Sequence, residues 1–385
     1  MEVVTSSAIL RERIDNLRKS AEFVCLDTEF VREKTYYPTL GLVQVAANIT
    51  GGDMVFAIDP VDSDIDMTPL KELLLDEKII KVFHACGQDL EIFYNIFSIT
   101  PINLFDTQVG AKMLGFGESI SYGRLAEDYL NKRLDKSHRY TDWTKRPLEP
   151  EQLEYAAYDV IYLKDIFILM RKELIKKERY GWACEESTKL LDESIYRVDI
   201  EEVWKKLKVK SNDKQYLAII KSLARWREVT AQNSNRPRPW ILKDDAIQEI
   251  AAVKPKKPED LRGLRFFKYD ERLVAAIIGV VDHGMTQEPA PKVELSKALP
   301  DSATAVLALL RIILKAQSFK NNIAPSVIAD LEDLEKIAMG KYKDTRAMQG
   351  WRYEVFGKYA QKLREGKLAI TANEGNIILI EPAYE

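Results

Sequence analysis

The period of the apolar positions changes once along the chain, and the change divides it. Over roughly the first 176 residues, short apolar runs alternate with amphipathic stretches. Residues Ser7 to Ser20 place Leu10, Ile14 and Leu17 at helical spacing and predict a lead-in helix. Glu22 to Phe30 follows, and its unbroken run Phe23-Val24-Cys25-Leu26 is the pattern of a central strand covered on both faces. Gly41–Asn48 and Asp53–Asp59 predict two more strands, with Ile49-Thr50-Gly51-Gly52 as the hairpin turn between them. A helix at Pro69–Leu75, a strand at Ile79–Phe83, a helix from Gln88 to Phe97, a short strand at Leu104-Phe105 and a helix at Thr107–Leu114 continue the series. Ser137 to Pro150 is polar, aromatic and proline-containing, hence a loop, and Glu151 opens a long helix. Three strands and then alternating strands and helices predict an α/β layer with a mixed sheet.

After about Lys176 strand-like runs largely vanish. A charged connector leads to two stretches that read as all-helical, roughly Lys214–His283 and Glu294–Leu368. Each has a long amphipathic helix near its start, with Leu217, Ile220 and Leu223 in the first and Val306, Leu309 and Ile313 in the second. Gly284 to Lys292 holds a glycine and two prolines and reads as the linker. The expected units are residues 1–176, a connector at 177–211, and helical domains at 212–289 and 293–372.

Composition adds bounds. The chain has 385 residues, 46% apolar and 30% charged, as in an ordinary globular protein of two or three domains. A net charge of −3 argues against a chain that is basic throughout but leaves room for a local basic face. Cys25, Cys86 and Cys184 are scattered, without zinc spacing or an even count, so free thiols in a reducing compartment are expected. The first twenty residues lack the apolar core of a secretory signal, and no apolar run approaches the ~20 residues that cross a bilayer. A cytoplasmic protein that makes no use of a membrane is the expectation, and a monomer, since no coiled-coil heptads stand out.

The chemistry begins at Asp27-Thr28-Glu29. Residues i and i+2 of a strand share a face, so Asp27 and Glu29 lie side by side at a strand end, a costly placement unless a cation compensates. Two other segments supply partners. In Val82-Phe83-His84-Ala85-Cys86-Gly87-Gln88-Asp89 a buried strand runs through a small-residue turn into a helix whose first turn carries Asp89. In Tyr155-Ala156-Ala157-Tyr158-Asp159 the tyrosine and the aspartate are i and i+4, on one helix face. Four carboxylates without histidine or thiol suit Mg²⁺ or Mn²⁺. Two such ions ~3.5–4 Å apart stabilise both the entering and the leaving oxygen of a phosphoryl displacement. In that arrangement Asp27 bridges the ions, Glu29 and Asp159 hold one, and Asp89 supports the other. Tyr155 positions the attacking water by a hydrogen bond.

These segments, LDTEF, FHACGQDLEIF and YAAYDVIYL, resemble the three motifs of the DEDD 3′–5′ exonucleases in their tyrosine subclass. With the flanking EFVREKTYYPTLGLVQVA and LDKSHRYTDWTKRPLEPEQLEYAAYDV, most of residues 1–200 resembles the bacterial ribonuclease D family. LARWREVTAQNSNRPRPWILKDDAI resembles an HRDC domain, and WRYEVFG at Trp351–Gly357 the end of a second. The resemblance implies an RNase H-like exonuclease domain followed by two HRDC domains. It also implies hydrolysis of RNA from a free 3′ end to nucleoside 5′-monophosphates, with tRNA precursors as the substrate class. The carried-over site is Asp27, Glu29, Asp89, Tyr155 and Asp159. A DNA-directed exonuclease is the nearest rival, and a catalytically silent RNA-binding scaffold a more distant one.

Several residues are assigned more loosely to substrate. Thr28, Phe30, Gln44 and His84 lie near the carboxylate segments, and His138 and Arg146 flank Trp143 in the loop. Each has a purely structural alternative. Arg225, Trp226, Arg227, Arg236, Arg238 and Trp240 form a basic and aromatic cluster of the kind that contacts nucleic acid. Asp244 and Asp245 oppose it.

Overall fold

The computed structural model describes residues 1–61, 64–135, 137, 141–287 and 299–381. Six strands make one mixed sheet: β1 (Glu2–Val4), β2 (Phe23–Val31), β3 (Thr39–Ile49), β4 (Gly52–Ile58), β5 (Ile80–Phe83) and β6 (Leu104–Asp106). Their order is β1-β4-β3-β2-β5-β6, so β2 lies inside, antiparallel to β3 and parallel to β5. The consecutive apolar residues of β2 divide between two cores, as its pattern requires. Val24 and Leu26 pack with α1 (Ser7–Ser20), α2 (Thr68–Leu74) and α3 (Gly87–Phe97). Cys25 faces the other side with Val82 and Ala46, beneath Val160, Leu163 and Phe167 of the long helix.

On the sheet's second side lie α4 (Thr107–Met113), α5 (Tyr122–Leu130) and that long helix, α6 (Pro150–Lys176). Its start is fixed locally. Pro150 occupies the first turn, and Glu149 and Gln152 exchange side-chain and backbone hydrogen bonds as a capping box. Ala156 and Ala157, both buried, then let α6 lie close on β2, the strand that carries Asp27 and Glu29.

α7 (Tyr180–Thr188) leads to the first helical unit, α8 (Lys214–Asn233), α9 (Arg238–Ile241), α10 (Asp244–Val253) and α11 (Glu271–Thr286), with its own core around Leu217, Ile220, Ile247 and Ile277. A cluster of hydrogen bonds joins it to the sheet layer. Tyr36 donates its hydroxyl proton to Glu228, whose side chain is 1% exposed, and Arg238 grips the same carboxylate at 2.6 and 2.7 Å. Asn235 Oδ1 accepts from the backbone N–H groups of Tyr36 and Tyr37, both at 3.1 Å.

The second helical unit comprises α12 (Asp301–Asn321), α13 (Pro325–Ile328), α14 (Leu331–Ala338), α15 (Gly350–Arg352) and, beyond a π-helical turn at Tyr353–Gly357, α16 (Lys358–Arg364). Its core is continuous with that of α6 and α7. Trp182 stacks on Trp351 at 4.7 Å, Arg352 pairs with Glu185 and Glu186, and Arg179 donates to the carbonyls of Met113, Asn321 and Asn322.

Several expectations change. The helical region ends in a hairpin, β7 (Ala369–Asn373) with β8 (Asn376–Ile380), so strands do not vanish after residue 176. Gly284 is no linker residue. It lies inside α11, where an added Cβ would meet Ser222 Oγ at 3.0 Å and Ile219 Cα at 3.1 Å, so it allows close approach to α8. Residues 288–298, the rest of the expected linker, lie outside the described residues. In α12 the buried face is Leu307, Leu310, Ile313 and Leu314, whereas Leu309 points outward. By length and composition α12 is also apolar enough to cross a bilayer, although it carries Arg311 and Lys315 and packs on α14.

Candidate active site and metal centre

The α6 face of β2 presents Asp27 and Glu29 together, and α6 brings Asp159 onto them. One oxygen from each of the three carboxylates lies within 4.8 Å of the others. Tyr155, one helical turn before Asp159, hydrogen-bonds it. Its ring lies 6.1 Å from that of Trp143. Thr28 sits between the two acids and so faces the opposite side. There it is buried, and its hydroxyl donates to Asp89 Oδ1 at 2.5 Å.

Asp89 is therefore held beside the trio and does not share its point of convergence. The turn that delivers it is built by Asp106, which accepts from the backbone N–H groups of Ala85 at 3.0 Å and Cys86 at 2.9 Å. Ala85 adopts a positive φ of 57° there, and α3 starts at Gly87, which has no such requirement. Asp106 also caps α4 through Gln108 N–H at 2.7 Å, so one carboxylate sets two helix starts.

Burial dominates the electrostatics. It pushes Asp159 up to about 7 and Asp27 well above the usual carboxylate range, with the charge of Asp159 adding to the shift at Asp27. Asp89 is raised by burial and then by the charge of Asp27, against the opposing hydrogen bond from Thr28. Like charges this close, half-buried at the floor of a cleft, call for protons or a cation. An all-oxygen donor set with three converging carboxylates fits a hard divalent ion.

The cleft around them, of about 520 Å³, is lined by Phe30, His84, Gln88, Gln108, Tyr122 and Leu134 as well as the acids and Tyr155. His84 reaches Thr107 Oγ1 through Nδ1 at 3.0 Å, and burial lowers its pKa. Sequence reasoning missed Tyr122. Its hydroxyl donates to the carbonyls of Asp159 at 2.7 Å and Tyr158 at 3.0 Å, clamping α6 where the Asp159 carboxylate leaves it. An aromatic at the start of a short helix carries no signal for that role.

Phe30 and His84 line the cleft, as does Thr28, although its hydroxyl is taken up by Asp89, whereas Gln44 and Arg146 do not border it. Gln44 pairs with Asp27 across the β2–β3 ladder, fully buried beneath α6. Arg146 is consumed structurally: it binds both oxygens of Asp59 at 2.6 Å and the carbonyls of Gly41 and Trp143. Trp143 is buried against Leu42, Ala57 and Ala156, so it pins the loop. His138 lies outside the described residues.

Comparison with known proteins agrees with this geometry. Residues 1–175 match a 3′–5′ exonuclease family and residues 217–271 the HRDC domain family. The chain is 40% identical to ribonuclease D of Bartonella henselae over 98% of its own length and 93% of that protein. With ribonuclease D of Nitrobacter hamburgensis it shares 38% identity over 99% and 100%. The crystal structure of Escherichia coli RNase D, described as an exoribonuclease involved in structured RNA processing, superposes with a TM-score of 0.82 at 26% identity, covering 95% of this chain and 98% of that one.

Proposed function

This chain belongs to the ribonuclease D family and is a 3′–5′ exoribonuclease; from that premise we propose that Asp27, Glu29, Asp89, Asp159 and Tyr155 perform its hydrolysis. The observation that carries the assignment is the convergence of Asp27, Glu29 and Asp159, with Tyr155 bonded to the last. Two divalent ions, Mg²⁺ or Mn²⁺, would supply the charge that acidifies water and stabilises the oxygens of the displacement. Asp27, Glu29 and Asp159 would hold one of them, and Asp27 with Asp89 would support the other. Tyr155, hydrogen-bonded to Asp159, orients the attacking water through its hydroxyl. On this reading the enzyme is of the tyrosine subclass. Phe30 and His84 flank the terminal nucleotide, which leaves as its 5′-monophosphate.

The substrate we assign is RNA with a free 3′-hydroxyl, tRNA precursors in particular, acted on by a monomer in the cytoplasm. Free cysteines accord with a reducing compartment. The domain limits follow as 1–176, 177–211, 212–289 and 293–372. The last is a second HRDC-like unit. Its support is a repeated order: a long helix (α8, α12), a four-residue helix with proline in its first turn (α9, α13), then an acid-started helix (α10, α14).

End-labelled single-stranded RNA and DNA, incubated with Mg²⁺, Mn²⁺ or EDTA, test the assignment. Stepwise release of 5′-monophosphates from RNA alone, abolished by EDTA, by a 3′-phosphate and by Asp27→Ala, is the expected result. Equal attack on DNA would make it a general exonuclease, and full turnover by Asp27→Ala would remove the metal assignment.

A further inference from the structure

Gln44 stands at the middle of β3, which runs between β4 and β2 inside the sheet. It pairs with Asp27 on one side and with Ala57 on the other. Residues directly opposite in an antiparallel ladder point to the same face, with Cβ atoms about 5 Å apart. Gln44 therefore shares the α6 face of the sheet with Asp27. Its neighbours on that face of β3 are Leu42 and Ala46, and Leu42 and Ala57 pack with Ala156 of α6 and with Trp143. Of its two ladder partners only Asp27 is polar.

The side chain is completely buried, and neither its amide nitrogen nor its amide oxygen has a hydrogen-bond partner among the described residues. A primary amide carries two donors and an acceptor oxygen with two lone pairs. Hiding them all without compensation is costly, and a leucine or methionine would fill the same place without that cost. Core packing alone gives no account of an amide at this position.

A second buried atom without a partner lies in the same layer. It is the indole Nε1 of Trp143, packed with Leu42 and Ala57. An indole N–H only donates. It suits the amide oxygen of Gln44 and leaves the amide nitrogen for an acceptor across the ladder, where Asp27 stands. An ionised carboxylate is an acceptor only, so N–H groups beside it favour its charged, metal-binding form.

We propose that Gln44 is a positioning residue for Asp27, its amide N–H groups holding that carboxylate in the orientation that the metal site requires. The inference rests on the metal assignment made above. Charge type explains the choice of an amide. A lysine or arginine in this place would compete with the cations, and another acid would add to the like charge already gathered by Asp27, Glu29 and Asp159. A neutral donor does neither. Groups that hydrogen-bond a metal ligand typically carry about 10–100-fold in metal affinity or activity.

The test compares Gln44→Met, which nearly keeps the length and volume, and Gln44→Leu with the unaltered chain. Calorimetric titration of the metal-free protein with Mn²⁺ alone reads affinity, and thermal melting in EDTA reads packing. Both variants raise the Mn²⁺ dissociation constant about tenfold. Their melting temperatures in EDTA equal or exceed that of the parent, because a buried amide without partners has been removed. Hydrolysis follows the metal: kcat falls at limiting Mn²⁺, saturating Mn²⁺ restores most of it, and KM for RNA stays within about twofold. Affinity is judged on whichever variant melts no lower than the parent. Unchanged Mn²⁺ affinity there would overturn the inference and leave the metal site in place. A lower melting temperature in both variants would overturn it too, because Gln44 would then be a packing residue of β3. A parent chain that binds no Mn²⁺ would remove the metal assignment and this inference together.

Discussion

Thr28 and Asp89 are joined by a 2.5 Å hydrogen bond that passes from the central strand to the first turn of α3. The same residue that spaces Asp27 from Glu29 on one face of β2 therefore locates the fourth carboxylate from the other face. A bond that orients a metal-supporting acid typically carries about 10–100-fold in metal affinity or activity. Thr28→Val keeps the shape and removes the donor. We expect the half-saturating Mg²⁺ concentration to rise by about tenfold, read from rate against metal, with the circular dichroism spectrum unchanged. An unaltered metal titration would mean that α3 packing alone positions Asp89.

Asp27→Asn removes a charge from beside Asp89 and Asp159. Hydrolysis will be lost. The metal-free protein will nonetheless melt higher, because a neutral amide relieves the like-charge contact that burial makes costly. Scanning calorimetry in EDTA checks this; a lower melting temperature than the parent would show that the carboxylate is structurally required.

The acids also set a pH dependence. Burial raises Asp159 to about 7 and Asp27 and Asp89 well above an unfolded value near ~4. The folded chain then binds more protons than the unfolded one, so the contribution is full below the unfolded pKa and lost as pH rises through about 7. Without metal, melting temperature falls between about pH 5 and about pH 8. With excess Mg²⁺ or Mn²⁺ the gain over the metal-free chain grows across the same interval, because the ion replaces protons. A metal-induced shift equal at both pH values would contradict the burial argument.

Tyr155→Phe deletes one hydroxyl and keeps the ring against Trp143. We expect kcat to fall by about 10²-fold, in the range for a positioned proton-handling group, with KM within about twofold. A change confined to KM would make Tyr155 a substrate contact.

Arg238→Met leaves Glu228 buried opposite Tyr36 without its cation. Breaking such a pair costs on the order of 2–3 kcal/mol, at the low end because the guanidinium is itself partly wet. Limited proteolysis will cut between the catalytic layer and α8 sooner than in the parent chain. Adding Glu228→Gln to the same chain will restore part of the resistance.

The carboxylates were legible in the sequence because their chemistry is local: two acids alternate on a strand, and a tyrosine and an aspartate stand one turn apart on a helix. The Ser7–Ser20 helix was legible for the same reason, its stripe being complete within 14 residues. What escaped depends on partners far along the chain. The three residues of β1 form a strand only because β4 lies parallel beside them, from Phe56 to Ile58. Gly284 resembles a hinge until α8 is seen against it. Arg146 resembles a phosphate ligand, but Asp59 had already claimed it from 87 residues away. Charge and composition alone cannot say whether a cation is spent or free.

Arg179 holds the C-terminal unit by main-chain carbonyls, those of Asn321 and Asn322, together with that of Met113. Any amino acid supplies a carbonyl. Asn321 therefore offers Arg179 nothing but its carbonyl and can be substituted without a compensating change there, whereas Asn322 also donates its side-chain amide to the Leu114 carbonyl at 2.7 Å from a backbone φ of 49° and is tied to its identity. The neighbouring link from Arg352 to Glu185 and Glu186 is side chain to side chain, so its members can change only together. Drift at residue 321, a held residue 322, and paired change at 185, 186 and 352 is the evolutionary trace that this junction will leave among its relatives.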